Sequence, residues 1–247
     1  MALIHSFEKN GNILFRYRGQ LPLIIFLAAI PAIYFNDYSW IDEKWYYLLL
    51  SFSILLSAIG FVIRAITIGT TPRNTSGRNT KEQIADVVNQ TGIYSTVRHP
   101  LYLGNYFMWI GIVLYTFNFW FVAVISLAYW LYYERIMFAE ERFLEKKFGD
   151  EYVNWSNSVP AFWPSFKNYK KSGIPFSLKS VLRREYSGFI ATVSGFVFVD
   201  IIRDWMLMPK FELNMNYVYV FGSALIITLV LRTLKKNTHI LDEEGRW

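Results

Sequence analysis

The stretch "LYLGNYFMWIGIVLYTFNFWFVAVISLAYWLYY", Leu101–Tyr133, runs for 33 residues without a charged side chain. A membrane-spanning helix needs about 20 apolar residues, so the run is too long for one span and short for two. Asn118 stands near its middle, at the place for a tight turn. The stretch therefore predicts a tilted helical hairpin, 101–117 and 119–133, packed against neighbouring helices. Arg98, His99 and Pro100 stand at its leading edge. His99 is the one histidine in the body of the chain, since His5 and His239 lie close to the termini.

Composition extends that picture to the whole chain. Of 247 residues, 53% are hydrophobic, 19% aromatic and only 18% charged. Soluble domains carry about 25% charged residues, so a bilayer is the expected solvent. Further apolar runs lie at 21–35 (interrupted by Pro31), 45–69 (with one charge, Arg64), 188–208 and 217–231. The expected fold is a single all-α membrane domain, 1–247, a polytopic bundle of about six transmembrane helices.

Basic residues cluster before span one (Lys9, Arg16, Arg18), between spans two and three (Arg73, Arg78, Lys81, Arg98), between spans four and five, and after span six (Arg232, Lys235, Lys236). The first loop on the other side, "NDYSWIDE", is acidic. The excess of Lys and Arg marks the cytoplasmic face, so both termini and any site among these segments are expected there. The first 20 residues show no apolar core with a small-residue cleavage site, so span one is expected to serve as the targeting signal. A net charge of +6 in so apolar a chain reads as basic loops facing lipid headgroups, not as a nucleic-acid surface. There is no cysteine, which removes disulfides, thiolate metal sites and cysteine nucleophiles, and a single central histidine argues against a histidine metal site. Oligomeric state leaves no mark in the sequence.

Chemistry is expected in two polar segments. Residues 70–92 begin as a polar loop and are expected to turn helical near Lys81. Residues 134–158 are expected to form a helix leaving the membrane, with Phe138, Glu141, Leu144, Phe148, Tyr152 and Trp155 at three- or four-residue spacing. Glu141 interrupts that apolar stripe. Rossmann, P-loop, nucleophile-elbow and H-E-x-x-H signatures are all missing. Asp200, Arg203 and Asp204 share one helix face and are expected to pair with each other near the far interface.

Three pieces remain: "GIYSTVRHPLYLGN", the pair Glu140–Glu141, and "FGDEYVNWSNSVPAFWP". In this order and spacing they resemble the integral-membrane methyltransferases, the superfamily of isoprenylcysteine carboxyl methyltransferases and phospholipid N-methyltransferases. The likeness covers residues 90–166 and leaves 186–233 as an additional C-terminal transmembrane pair. It implies methyl transfer from S-adenosylmethionine to a membrane lipid acceptor. Carried over by position, Tyr94, His99, Pro100, Tyr102, Leu103 and Gly104 would line the cofactor pocket, and Glu140 and Glu141 would meet its cationic end. Arg98 would face the acceptor.

Chemically, a sulfonium at a membrane edge needs carboxylates. Gly104 would permit close backbone approach, and Pro100 would leave open helix N–H groups for an anion. An anionic acceptor needs no base and Arg98 would hold it in line; an amine would need one, and Glu141 is then the candidate. The loop with Arg73, Arg78 and Lys81 reads either as a solvated cytoplasmic loop or as an anionic headgroup clamp. With the core it looks similar to bacterial lipid A 1-phosphate O-methyltransferases, which would place the chain in an inner membrane. Prenylcysteine carboxylates and phospholipid amines remain alternative acceptors. Membrane sterol reductases, which use NADPH, share a related R-H-P-x-Y-x-G segment, but they are longer and typically carry aspartate where Asn105 stands.

Overall fold

The computed structural model describes residues 2–72, 75, 83–207 and 213–246. Among these the chain is all helical: α1 (Leu3–Tyr17), α2 (Leu21–Tyr34), α3 (Glu43–Gly69), a 3-10 turn (Gly92–Ser95), α4 (Pro100–Leu114), α5 (Phe119–Phe148), α6 (Asp150–Ser156), α7 (Leu178–Leu207) and α8 (Met215–Asn237). A polytopic helical membrane bundle is the fold. α3, α5, α7 and α8 are long and apolar enough to cross a membrane alone. α2 does so only together with α1 across an 81° bend, and α4 is shorter.

The hairpin forms where Asn118 stands. Its side chain accepts from the Phe121 N–H at 2.9 Å, capping α5, and donates to the Ala32 carbonyl at 3.0 Å, tying the turn to α2. α5 then continues far past the expected span. Its 30 residues extend about 45 Å, so Glu140 and Glu141 ride on the same rigid rod as the hairpin. Gly149, at φ 54°, ends the rod in a conformation that suits a glycine and separates it from α6.

Small residues let α3 and α4 approach closely. A Cβ on Gly104 would meet the Arg64 Cγ at 2.6 Å and the Gly60 carbonyl at 2.9 Å. Ser57 Oγ donates across the same seam to the Met108 carbonyl at 2.9 Å. In lipid, where apolar burial gives little drive between helices, such contact is the main source of cohesion.

One helix was not foreseen and two expectations are corrected. The polar first 20 residues form α1, whose Phe7, Gly11, Leu14 and Phe15 make a stripe that packs along α5. Phe7 sits 5.8 Å from the Phe138 ring, and the Tyr132 hydroxyl donates to the Leu14 carbonyl at 2.9 Å. The helix expected near Lys81 does not appear in residues 83–91, and Lys81 itself lies outside the described residues. α7 starts ten residues before the expected Gly188, drawing Glu185 into a helix.

Candidate functional site

Backbone pairing sets the R-H-P segment in place. Arg98 N–H donates to Pro160 O at 2.9 Å, His99 N–H to Ala161 O at 3.2 Å, and Ser165 N–H to Thr96 O at 2.9 Å. The V-P tail thus lies alongside the motif, and Pro100 opens α4 just beyond it. The Tyr102 and Leu103 N–H groups turn back to the His99 carbonyl, each at 3.1 Å. That occupies donors the sequence suggested would stay open for an anion.

α5 brings its two carboxylates onto this segment. His99 Nε2 lies 2.8 Å from Glu141 Oε1, and Nδ1 lies 3.6 Å from Glu140 Oε2. With a carboxylate facing each ring nitrogen, the arrangement is best satisfied when both carry protons and the imidazole is a cation. Burial opposes that charge, but Glu140 and Glu141 outweigh it and hold the His99 pKa above the ordinary histidine value. The Tyr102 hydroxyl donates to Glu140 Oε1 at 2.6 Å, and its ring stacks on the imidazole at 5.8 Å. His99, Tyr102, Glu140 and Glu141 therefore form one cluster.

The structure gives Arg98 a different task from the one expected. Its Nε and Nη2 donate to Glu141 at 2.9 and 3.3 Å, and Nη1 donates to the carbonyls of Ser156 and Val159 at 2.6 and 2.8 Å. All three side-chain nitrogens are engaged, so Arg98 is a bracket joining α5, α6 and the tail, not a free clamp for an acceptor anion. Gly104 likewise faces α3 rather than a ligand, because its missing Cβ is what lets Gly60 and Arg64 pack there. Leu103 is 2% exposed and packs in the core with Tyr129, Tyr133 and Ile136. Tyr94 packs against the small cluster of Tyr152, Trp155 and Val159. Arg73, Arg78 and Lys81 lie outside the described residues.

One polar centre was only half visible in the sequence. Arg64 stood out as the lone charge in its span. In the structure its Nε and Nη2 grip Glu185 on α7 at 2.7 Å each, and Nη1 donates to Asn105 at 2.7 Å. Glu185 is 1% exposed and 121 residues away in sequence, at the end of a basic run that gave no reason to pair it with Arg64.

The comparisons fit this geometry. The family model for phospholipid methyltransferase matches residues 47–151, from α3 into α6. Over that part of the chain, less than half of its length, the protein is similar to the integral-membrane methyltransferases. Among its curated relatives is protein-S-isoprenylcysteine O-methyltransferase of Saccharomyces cerevisiae, 31% identical over 106 residues, covering 42% of this chain and 44% of that one. The Tribolium castaneum protein of the same name is 29% identical over 113 residues, 45% and 40% of the two chains. The cobalt-zinc-cadmium resistance protein CzcN of Cupriavidus metallidurans is 29% identical over 163 residues, 64% of this chain and 69% of its own. No solved structure matches the chain. Among the described residues no three His, Asp or Glu side chains converge as a metal site.

The residues present would suit a cationic ligand such as a sulfonium methyl donor. Two carboxylates, each about a quarter exposed, stand where a cation would need them. The indole N–H of Trp155 is buried without a partner among the described residues. Its ring packs with Tyr152 and Val159.

Proposed function

We propose that the protein transfers a methyl group from S-adenosylmethionine to an ionised oxygen of a membrane lipid, in particular a lipid phosphate such as the 1-phosphate of lipid A. Residues 90–166 form the core of this reading and the C-terminal pair, 186–233, an addition to it. The cofactor supplies an electrophilic methyl on a positively charged sulfur. Glu140 and Glu141 offset that charge, Tyr102 and His99 fix the two carboxylates, and Arg98 holds Glu141 and the tail in register. The site lies at the cytoplasmic face, in agreement with the basic segments around it.

The observation that carries the choice of acceptor is the state of Glu141. Its oxygens are taken by His99 at 2.8 Å and by Arg98 at 2.9 and 3.3 Å. A carboxylate held this way is poorly placed to accept a proton from an amine, whereas a phosphate is already ionised at neutral pH and needs no base. The remaining work is positioning and exclusion of water. A prenylcysteine carboxylate meets the same criterion and is the second reading; the isoprenylcysteine methyltransferase relatives favour it.

Calorimetry on the detergent-purified protein tests the cofactor. S-adenosylmethionine binding that is lost in Glu141→Ala is expected, while binding of NADPH alone would sink the proposal. Transfer of labelled methyl into membrane extracts tests the acceptor. Label in a phosphate ester that withstands mild base is expected; label released as methanol by mild base would mark the carboxylate of the second reading, and label in an amine headgroup would overturn the O-methylation reading.

A further inference from the structure

Between α6 and α7 the chain follows a non-helical course that includes "WPSFKNYKK", Trp163–Lys171. Three aromatics recur here at every third residue, and all three face outward: Trp163 is 64% exposed, Phe166 74% and Tyr169 57%. Lys167 lies among them and Lys170 and Lys171 follow directly, all three exposed. None of the three lysines pairs with a carboxylate among the described residues. The side chains face outward because the backbone is engaged inward. Ser165 N–H donates to Thr96 O at 2.9 Å, Gly92 N–H to Lys170 O at 2.8 Å, and Lys170 N–H to Ser95 Oγ at 2.9 Å. The segment is thus a strap fastened along the residues that lead into Arg98 and His99.

Its height in the bundle follows from Phe162, the residue before it. Phe162 is buried and meets the Trp130 ring edge to face, 5.4 Å between centroids. Trp130 is the twelfth residue of α5, about 17 Å along the helix from the hairpin turn. The fifteen residues of α4 rise about 22 Å from the same turn. Trp163 therefore sits near the level of the first turn of α4, at the polar end of the apolar helices. Aromatic rings favour the boundary between hydrocarbon and headgroups, and lysines extend from there toward phosphates.

We propose that this strap is a docking surface for anionic lipid headgroups. The aromatics lie in the boundary layer and the three lysines take the phosphates. Charge complementarity selects this occupant: the exposed strap carries three cations with no carboxylate partner among the described residues and no acid between Trp163 and Lys171. Because its backbone is tied to Gly92, Ser95 and Thr96, a bound headgroup also steadies the loop before the R-H-P motif. On the methyltransferase reading, that is where an anionic acceptor would be gathered.

The test uses the full chain in bilayer nanodiscs and does not depend on activity. Electron spin resonance with spin-labelled phosphatidylglycerol and phosphatidylcholine gives the ratio of their association constants at the protein surface. The wild type is expected to prefer phosphatidylglycerol, and Lys167→Gln, Lys170→Gln and Lys171→Gln combined to cut that preference roughly threefold or more. Lys44→Gln, at the hairpin end, is expected to leave it unchanged. An unchanged preference in the triple variant, or an equal loss in Lys44→Gln, overturns the proposal. Calorimetry with S-adenosylmethionine on the same samples keeps the two readings apart. No cofactor binding by the wild type would sink the methyltransferase reading and leave the strap standing.

Discussion

The bundle buries a polar network at each end, and the two are built differently. At the hairpin end, Arg203 is 6% exposed and paired with Asp200, and it donates to the Tyr115 carbonyl at 3.0 Å. Its guanidinium lies 4.5 Å from the Tyr115 ring centre and 4.7 Å from that of Phe117. The Tyr115 hydroxyl bonds Asp200 and meets Tyr46 at 3.0 Å. One cation and one carboxylate answer each other inside an aromatic cage. At the R-H-P end, two carboxylates converge on one imidazole and one guanidinium, and histidine alone among these side chains ordinarily titrates near neutral pH. The hairpin end has fixed charge and suits a lock. The R-H-P end has adjustable charge and suits a cationic ligand, whose arrival could be answered by loss of the His99 proton.

The largest expected effect tests the lock. Arg203→Ala leaves Asp200 unpaired beneath α4 and should cost about 3–5 kcal/mol. It should lower the thermal unfolding midpoint in detergent while S-adenosylmethionine affinity in the folded fraction stays unchanged. A loss of affinity with unaltered stability would erase the division between the two ends.

Next in size is Glu141→Ala, which strips both Arg98 and His99 of a partner. Truncating one member of such a hydrogen-bonded charge group costs about 2–5 kcal/mol, so cofactor affinity should fall about a hundredfold by calorimetry. The expected stability loss is smaller than for Arg203→Ala, because this end is open to water. If the unfolding midpoint fell further than for Arg203→Ala, the R-H-P cluster would be the structural one.

Arg98→Lys distinguishes a bracket from a clamp. Lysine keeps the charge but cannot span Glu141 and two carbonyls at once. A bracket predicts that cofactor affinity drops about tenfold, together with a poorer KM for the acceptor. A clamp predicts an acceptor KM effect alone, with calorimetric cofactor affinity intact.

How much of this was legible depended on the range of the signal. The hairpin, its turn at Asn118 and the positions of α3 and α8 followed from apolar runs and one polar interruption, all local features. The gathering of His99, Tyr102, Glu140 and Glu141 was reached through order and spacing, which a shared motif encodes. Pairings across long separations were hidden. Glu185 is reached only when α7 folds against α3, and nothing near "RREYS" pointed to Arg64. α1 was missed because its apolar stripe is narrow and set among polar residues that dominate the average. Arg98 and Gly104 were recognised as special, but the protein groups they pack against were not. Chemical type tells that an arginine or a glycine is needed, while the partner that needs it is a matter of packing.

The smallest effect is the most direct probe of adjustable charge. His99 has a raised pKa in the folded protein, with Glu140 and Glu141 as the cause. A group whose pKa rises on folding contributes stability that is fully present below its unfolded value, about 6.5, and lost as pH climbs through the folded value. The cofactor-free protein should therefore lose stability as pH rises through that window. Cofactor affinity should move the other way. A sulfonium beside the same carboxylates favours the neutral imidazole, so binding releases a proton and tightens as pH increases. Calorimetry in buffers of different ionisation heat reads that proton directly, and unfolding midpoints across the same pH series read the other slope. His99→Gln keeps a polar partner for the carboxylates but has nothing to titrate, and should flatten both. Two slopes of the same sign in the wild type, or slopes that persist in His99→Gln, would show that the charge at this end is as fixed as the charge around Arg203.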